Sequence, residues 1–366
     1  MQFKVITLES AEWGAAIAAL PSHLRDIHFL PEYAKIYALT HGYVPFLALL
    51  RGPDGFVVQS FMRRDLRSLS FLSNAVPGVP YFDIVNPYGY GGPVCSALDE
   101  RIAADMLDVF EREFCSYCEV QHYASEFASL HPLLENHSLL RNNARVELHQ
   151  QKSVVYIPLE EGAEGIWSGM RRGHQCAIRQ AQRLGVTGRR VDVNDENIEI
   201  LKNLYYSTMD RVGAAERWNF PSDYFLNCFN CLGEQRSSLF FSFLGDQVIG
   251  ACILIHDFDT MYYHFGGTDL RYHSEKPGFV MLHEAALWGA RQAYKFFHLG
   301  GGVTAEPDDS LFKFKKGFSK KTAVLYSYSR VLHAPTYDQL CEFKRSHEIQ
   351  QLGHASDSTY FPLYRR

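Results

Sequence analysis

Two apolar runs flank Gly-Pro-Asp-Gly in Val44–Leu66, VPFLALLRGPDGFVVQSFMRRDL. Such runs around a turn signal predict a β-hairpin. Ser238–Phe258, SLFFSFLGDQVIGACILIHDF, repeats the pattern around Gly245-Asp246. Each hairpin leads to a strand ending near glycines, at Tyr88-Gly89-Tyr90-Gly91-Gly92 and at Tyr262-Tyr263-His264-Phe265-Gly266-Gly267. Helical spacing follows in both places. Ile102, Met106, Val109 and Phe110 recur within Ala97–Phe114; Phe279, Leu282, Ala286 and Ala290 recur within Gly278–Tyr294. A strand closes each set, Glu119–Tyr123 and Lys295–Leu299. The offset is about 180 residues, so the chain reads as two copies of one α/β unit. The predicted division is 1–150, 151–335 and a terminal extension 336–366. The first boundary lies in the polar stretch HSLLRNNARVELHQQKS, before a strand at Val154–Ile157.

Composition narrows the class. Of 366 residues, 46% are hydrophobic and 21% charged, as in a folded globular protein. A formal charge of −5 argues against wrapping nucleic acid, so no DNA partner is expected; local basic patches and peripheral membrane contact stay open. The N-terminus lacks a signal-peptide pattern, and no apolar run reaches membrane-span length, so a cytoplasmic protein is expected. The pairs Cys115-x-x-Cys118 and Cys228-x-x-Cys231 have zinc-like internal spacing but lie far apart, near helix ends. Buried reduced thiols, and no metal, are expected there.

Two segments carry candidate chemistry. In IWSGMRRGHQCAIRQAQRLGV a helix is predicted from about Trp167, closed by Gly185. Met170, Ala177, Ala181 and Leu184 share one face, and Arg172, Arg179 and Arg183 the opposite one. That arginine face is either solvated or presented to a phosphate or carboxylate, which the guanidinium fork suits. In KFFHLGGGVTAEPDDSLFKFKKGF a buried strand ends at Gly300-Gly301-Gly302, and lysines then alternate with aromatics. His298 reads as a base or as a structural residue. No general base is identifiable.

The order hairpin, strand, helix, strand resembles the GNAT acyltransferase fold. Arg172–Val186, ending IRQAQRLGV, resembles the arginine-helix signature of the FemAB-type peptidyltransferase family, GNAT-like enzymes that add amino acids to peptidoglycan precursors. HFLPEYAKIY (His28–Tyr37), NPYGYGGPV (Asn86–Val94), LYYSTMDRVGA (Leu204–Ala214), and HLGGG with SLFKFKKGF (Ser310–Phe318) resemble four further signatures in the family's order. The resemblance implies an α/β chain of two tandem GNAT-like domains with mixed sheets flanked by helices. It implies an N-acyltransferase acting on an amine of a cell-envelope or polysaccharide precursor. By its place in Phe-Lys-x-x-Phe, Lys315 is the expected catalytic residue, stabilising an oxyanion or holding a phosphate. Lys316, Arg171, Arg172 and Arg179 are expected to bind an anionic small-molecule or lipid-linked acceptor, with Tyr88 and Tyr90 lining its cleft. Arg211 either joins them or pairs with Asp210. Gly266, Gly267 and Gly278 occupy the place of a coenzyme A phosphate loop, although Arg-x-x-Gly-x-Gly is missing. No tightly bound cofactor is implied; the donor is an acyl-CoA or an aminoacyl-tRNA. The absence of a long coiled-coil arm disfavours tRNA. The competing readings are a tRNA-dependent peptidoglycan bridge peptidyltransferase and a non-catalytic module for an anionic sugar-nucleotide or lipid headgroup.

Overall fold

A computed structural model describes residues 1–72, 81–354 and 360–365. In chain order the elements are β1 (Gln2–Thr7), α1 (Ala11–Ala18), α2 (Pro31–His41), β2 (Val44–Gly52), β3 (Gly55–Asp65), β4 (Phe82–Val85), β5 (Val94–Cys95), α3 (Glu100–Val120), β6 (Tyr123–Ser129) and β7 (Glu147–Pro158). Then come α4 (Gly162–Gly169), α5 (Arg172–Arg183), β8 (Val186–Val191), α6 (Asp195–Arg211), α7 (Ser222–Leu232), β9 (Ser237–Leu244), β10 (Gln247–Asp257) and β11 (Thr260–Thr268). The last are α8 (Pro277–Arg291), β12 (Phe296–Gly300), α9 (Ser310–Lys316), β13 (Thr322–Val331) and α10 (Ala334–Leu352). They fall into two units, Met1–Gln151 with Leu325–Arg366, and Lys152–Val324.

In the first unit the sheet order is β1-β2-β3-β4-β6-β13, with β5 beside β3. Among its described strands β4 and β6 pair in parallel and the rest antiparallel. A parallel pair needs a crossover, and α3 supplies it. Asp99 caps α3 by accepting from the N–H groups of Arg101 and Ile102, both at 3.0 Å. Met106, Phe110, Phe114 and Cys118, at helical spacing, press on the sheet. Because this apolar face continues to Cys118, the helix runs to Val120, and the strand predicted from Glu119 begins only at Tyr123.

The second unit repeats the plan. Its order is β7-β12-β11-β10-β9-β8. Here β11 and β12 are the parallel pair, and α8 is the crossover. Both predicted hairpins are present, as β2–β3 and β9–β10. The predicted helix from Trp167 is broken. Met170 and Arg171 are extended, with ψ of 150° and 143°. Glycine weakens the helix at Gly169, Met170 turns into the core, and the Arg171 N–H donates to the Gly317 carbonyl at 2.9 Å. Gly185, at φ +89°, follows α5 as predicted, but Leu184 is exposed and Ile178 takes its expected place in the buried face.

The division falls between Gln151 and Lys152, inside β7 rather than in a polar linker. The described residues after Val324 group with the first unit. The reasons are specific. β13 runs antiparallel beside β6. Leu340 and Tyr364 share a core cluster with Leu66 and Ala124. Arg365 donates to the buried Asp83 carboxylate at 2.5 and 3.2 Å.

Candidate functional site

The parallel strands of the second unit open a wedge. β11 and β12 pair at Thr260–Phe296, Met261–Phe297 and Tyr262–His298, and pairing stops there, although β11 continues to Thr268. Lys315 occupies this opening. Its Nζ donates to the Gly301 carbonyl at 2.8 Å and lies 5.7 Å from the centre of the Tyr263 ring, one residue past the last pair. The side chain is buried, with 7% of the residue exposed.

The surrounding segment folds to hold it. Asp309 caps α9, Oδ1 accepting from the Phe312 N–H at 2.8 Å and Oδ2 from the Thr304 N–H at 3.0 Å. Phe314 and Phe318, one turn apart, pack on each other and on Phe279 of α8. Helical spacing then turns Lys315 inward. Gly300 adopts φ +78°, a conformation glycine accepts without strain, and at Gly302 a Cβ would stand 2.3 Å from Asp309 Oδ1. Lys152, half-buried on β7, donates to the next carbonyl, Gly302 O, at 2.6 Å. Burial first, then the charge of Lys152, bring Lys315 down from the ordinary lysine range to about 7, against an upward pull from Asp309.

His174 joins α5 to this segment. Its Nε2 donates to the Phe314 carbonyl at 2.8 Å, and its ring lies among Phe279, Phe314 and Phe318. Arg171 and Arg172 therefore stand, exposed, beside the end of α9. Lys316 is half-buried, its Nζ 5.4 Å from the centre of the Phe312 ring. Arg179 lies about 10 Å further along α5, given the helical rise. Its guanidinium sits 4.9 Å from the Trp167 ring and borders an open groove of about 590 Å³ shared with Cys176, Gln182 and Arg183. The arginine helix thus presents two groups of cations. Among the described residues none of these four arginines has a carboxylate partner.

The family model of the GNAT acetyltransferase domain matches residues 168–315, from the end of α4 to Lys315. The second unit therefore carries a GNAT acetyltransferase domain. The fold of the chain is similar to that of FemX, at a TM-score of 0.68 and 15% identity, over 93% of this chain and 99% of that one. It is also similar to a conserved protein of unknown function from Bacteroides thetaiotaomicron (TM-score 0.54, 11% identity, 90% and 99% covered). A third likeness is to the C-terminal domain of a candidate lysylphosphatidylglycerol synthetase from Agrobacterium fabrum (0.50, 11%, 93% and 97%). These likenesses are of fold, and they agree with a FemAB-like arrangement of two tandem GNAT-like domains. No curated protein matches the sequence.

Within this GNAT frame several expected residues find other work. Gly266 and Gly267 form no open phosphate loop. A Cβ at Gly266 would meet Cys252 and Tyr263, both at 2.7 Å, and one at Gly267 would meet the Leu204 carbonyl of α6 at 2.1 Å. They are glycines because α6 and β10 pack that closely. Gly278 does start a helix without a side-chain cap, beside the Phe314 ring. Arg211 ends α6 exposed and makes no ion pair among the described residues, so the pairing with Asp210 does not form. His298 is buried, and its Nδ1 accepts from the Gly300 N–H at 3.1 Å, a turn-holding role.

Tyr88 and Tyr90 lie in the first unit. Tyr88 is 37% exposed, and its carbonyl accepts from Tyr33 OH at 2.6 Å. Tyr90 is buried instead of lining a cleft, its ring against His28 and His131. Those histidines and Asp26 place potential ligand atoms within 4.8 Å of one another. Hydrogen bonding explains the cluster. His131 Nδ1 accepts from the Leu133 and Leu134 N–H groups, so its proton sits on Nε2, 3.3 Å from Asp26 Oδ2. A protonated Nε2 offers a metal no lone pair. His28 Nδ1 holds the other Asp26 oxygen at 2.6 Å.

Proposed function

We propose that the protein is an N-acyltransferase that moves an acyl or aminoacyl group from an acyl-CoA-type thioester to an amine of a cell-envelope or polysaccharide precursor. The observation that carries this reading is the buried Lys315 amine in the wedge between β11 and β12. The GNAT domain match across that wedge favours a thioester donor. The lysylphosphatidylglycerol synthetase named among the fold relatives favours an envelope acceptor.

In the reaction the acceptor nitrogen attacks the donor carbonyl. A C–N bond forms, a tetrahedral oxyanion develops, and the C–S bond then breaks. Lys315, resting near neutrality between amine and ammonium, takes the proton released by the attacking nitrogen. It becomes an ammonium as the oxyanion appears, stabilises it, and returns the proton to the departing thiolate. One side chain thereby supplies the base that the sequence does not reveal. Arg171, Arg172 and Lys316, at the junction of α5 and α9, hold the acceptor's anionic portion. The uncapped start of α8 at Gly278 receives the donor's phosphates.

The test is thiol release from a panel of acyl-CoA thioesters, with UDP-linked muropeptide and amino-sugar acceptors. Acceptor-dependent release is expected, and Lys315→Ala lowers turnover by about tenfold or more. The variant's circular dichroism stays unchanged. Equal turnover in wild type and variant sinks the reading.

A further inference from the structure

Lys315 has a neighbour that no motif singles out. Lys152 lies 163 positions earlier in sequence, on β7. Its Nζ donates to the Gly302 carbonyl at 2.6 Å, while Lys315 Nζ donates to the Gly301 carbonyl at 2.8 Å. Adjacent carbonyls of one glycine turn thus hold two lysines from two different elements. The turn is shaped around them. A Cβ at Gly301 would come within 3.2 Å of Lys152 Cε, and one at Gly300 within 3.3 Å of Lys315 Nζ.

Two ammonium groups at neighbouring sites repel, and burial of one sharpens the repulsion by lowering the local dielectric. The half-buried Lys152 keeps more contact with solvent than the buried Lys315, so Lys315 is the member that gives up its proton. The other groups around Lys315 are few. Asp309, at the start of α9, pulls the opposite way. Tyr263 of β11 offers a ring face, and His298 of β12 has its Nδ1 committed to the Gly300 N–H.

We propose that Lys152 is a positioning residue for Lys315: held on the neighbouring carbonyl of the triple-glycine turn, its fixed charge adds to burial in keeping Lys315 available as a free amine. This rests on the reading of Lys315 as the working group of the site, but its test does not require transfer activity.

The experiment is trace labelling of the intact protein with acetic anhydride across pH 5 to 10, with Lys315 modification read by mass spectrometry. In the wild type the labelling midpoint of Lys315 lies near 7. Lys152→Gln and Lys152→Met, which delete the charge and keep the stem, raise that midpoint by about one pH unit. Lys152→Arg, which restores a cation, returns it toward the wild-type value. Lys320→Gln, which removes an exposed charge nearby in sequence, leaves it unchanged. An unmoved midpoint in both Lys152→Gln and Lys152→Met, with the wild-type circular dichroism spectrum, overturns the proposal. So does a shift that Lys152→Arg fails to reverse. If the midpoint moves as expected while Lys315→Ala keeps full turnover, the lysine pairing stands and the catalytic reading alone falls.

Discussion

At the scale of single residues, the role proposed for Lys315 predicts how activity depends on pH. The amine's folded-state value of about 7 means that the ammonium predominates below neutrality. As a base it must first lose that proton. kcat/KM is therefore expected to rise about tenfold per pH unit below 7 and to level off above it. Were the ammonium the working form from the outset, the rate would fall above 7. A profile between pH 5 and 9, with an acceptor whose amine does not titrate there, decides between them. Lys315 was expected only through the resemblance, by its place in Phe-Lys-x-x-Phe, and the structure shows that the flanking Phe314 and Phe318 pack together as anchors. Lys152 was not expected, because its partnership depends on where β7 pairs against β12, and strand register across such a separation leaves no local trace.

Elements explain which predictions held. The hairpins were legible because short apolar runs around a glycine turn have few alternatives, and α8 because four apolar residues recur on one stripe. The break between α4 and α5 was not, since it exists to let Arg171 bond Gly317, a contact made only in the folded chain. The same junction yields a test. An ideal Cβ on Gly317 would stand 1.8 Å from His174 Cε1 and 2.1 Å from Nε2. The ring has little room to retreat, held by the Phe314 carbonyl and by the Phe279 and Phe318 rings. The backbone of Gly317 is ordinary, at φ −72°, so the effect is one of packing alone. Gly317→Ala is expected to cost about 1–3 kcal/mol in urea unfolding. In the double variant with His174→Ala, the alanine at 317 should cost much less, since the clashing ring is gone. Additive losses would show that α5 and α9 do not meet through this ring.

For the whole molecule, the repeat was legible but the ownership of its last strands was not. Each copy runs hairpin, third strand, crossover helix, parallel strand, and local patterns record all of that. The strand that completes the first unit's sheet, however, is the far end of β13, some 200 residues after β6. Sequence proximity assigns it to the second unit; charge assigns it to the first. Arg330, on β13, is buried with two carboxylates of the first unit. It donates to Glu126 through Nε at 2.5 Å and to Glu111 through Nη1, while Tyr328 OH and Gln59 hold the other Glu126 oxygen. Two buried carboxylates and one guanidinium leave no margin for losing the cation. Arg330→Met, similar in reach but uncharged, strands both glutamates and is expected to cost about 3–5 kcal/mol. Urea denaturation followed by tryptophan fluorescence measures the loss. Adding Glu126→Gln should recover part of it, because one stranded charge is then gone. If Arg330→Met unfolds at the wild-type midpoint, the C-terminal strand is held by backbone pairing and apolar contact alone, and the buried ions are incidental to closing the first unit.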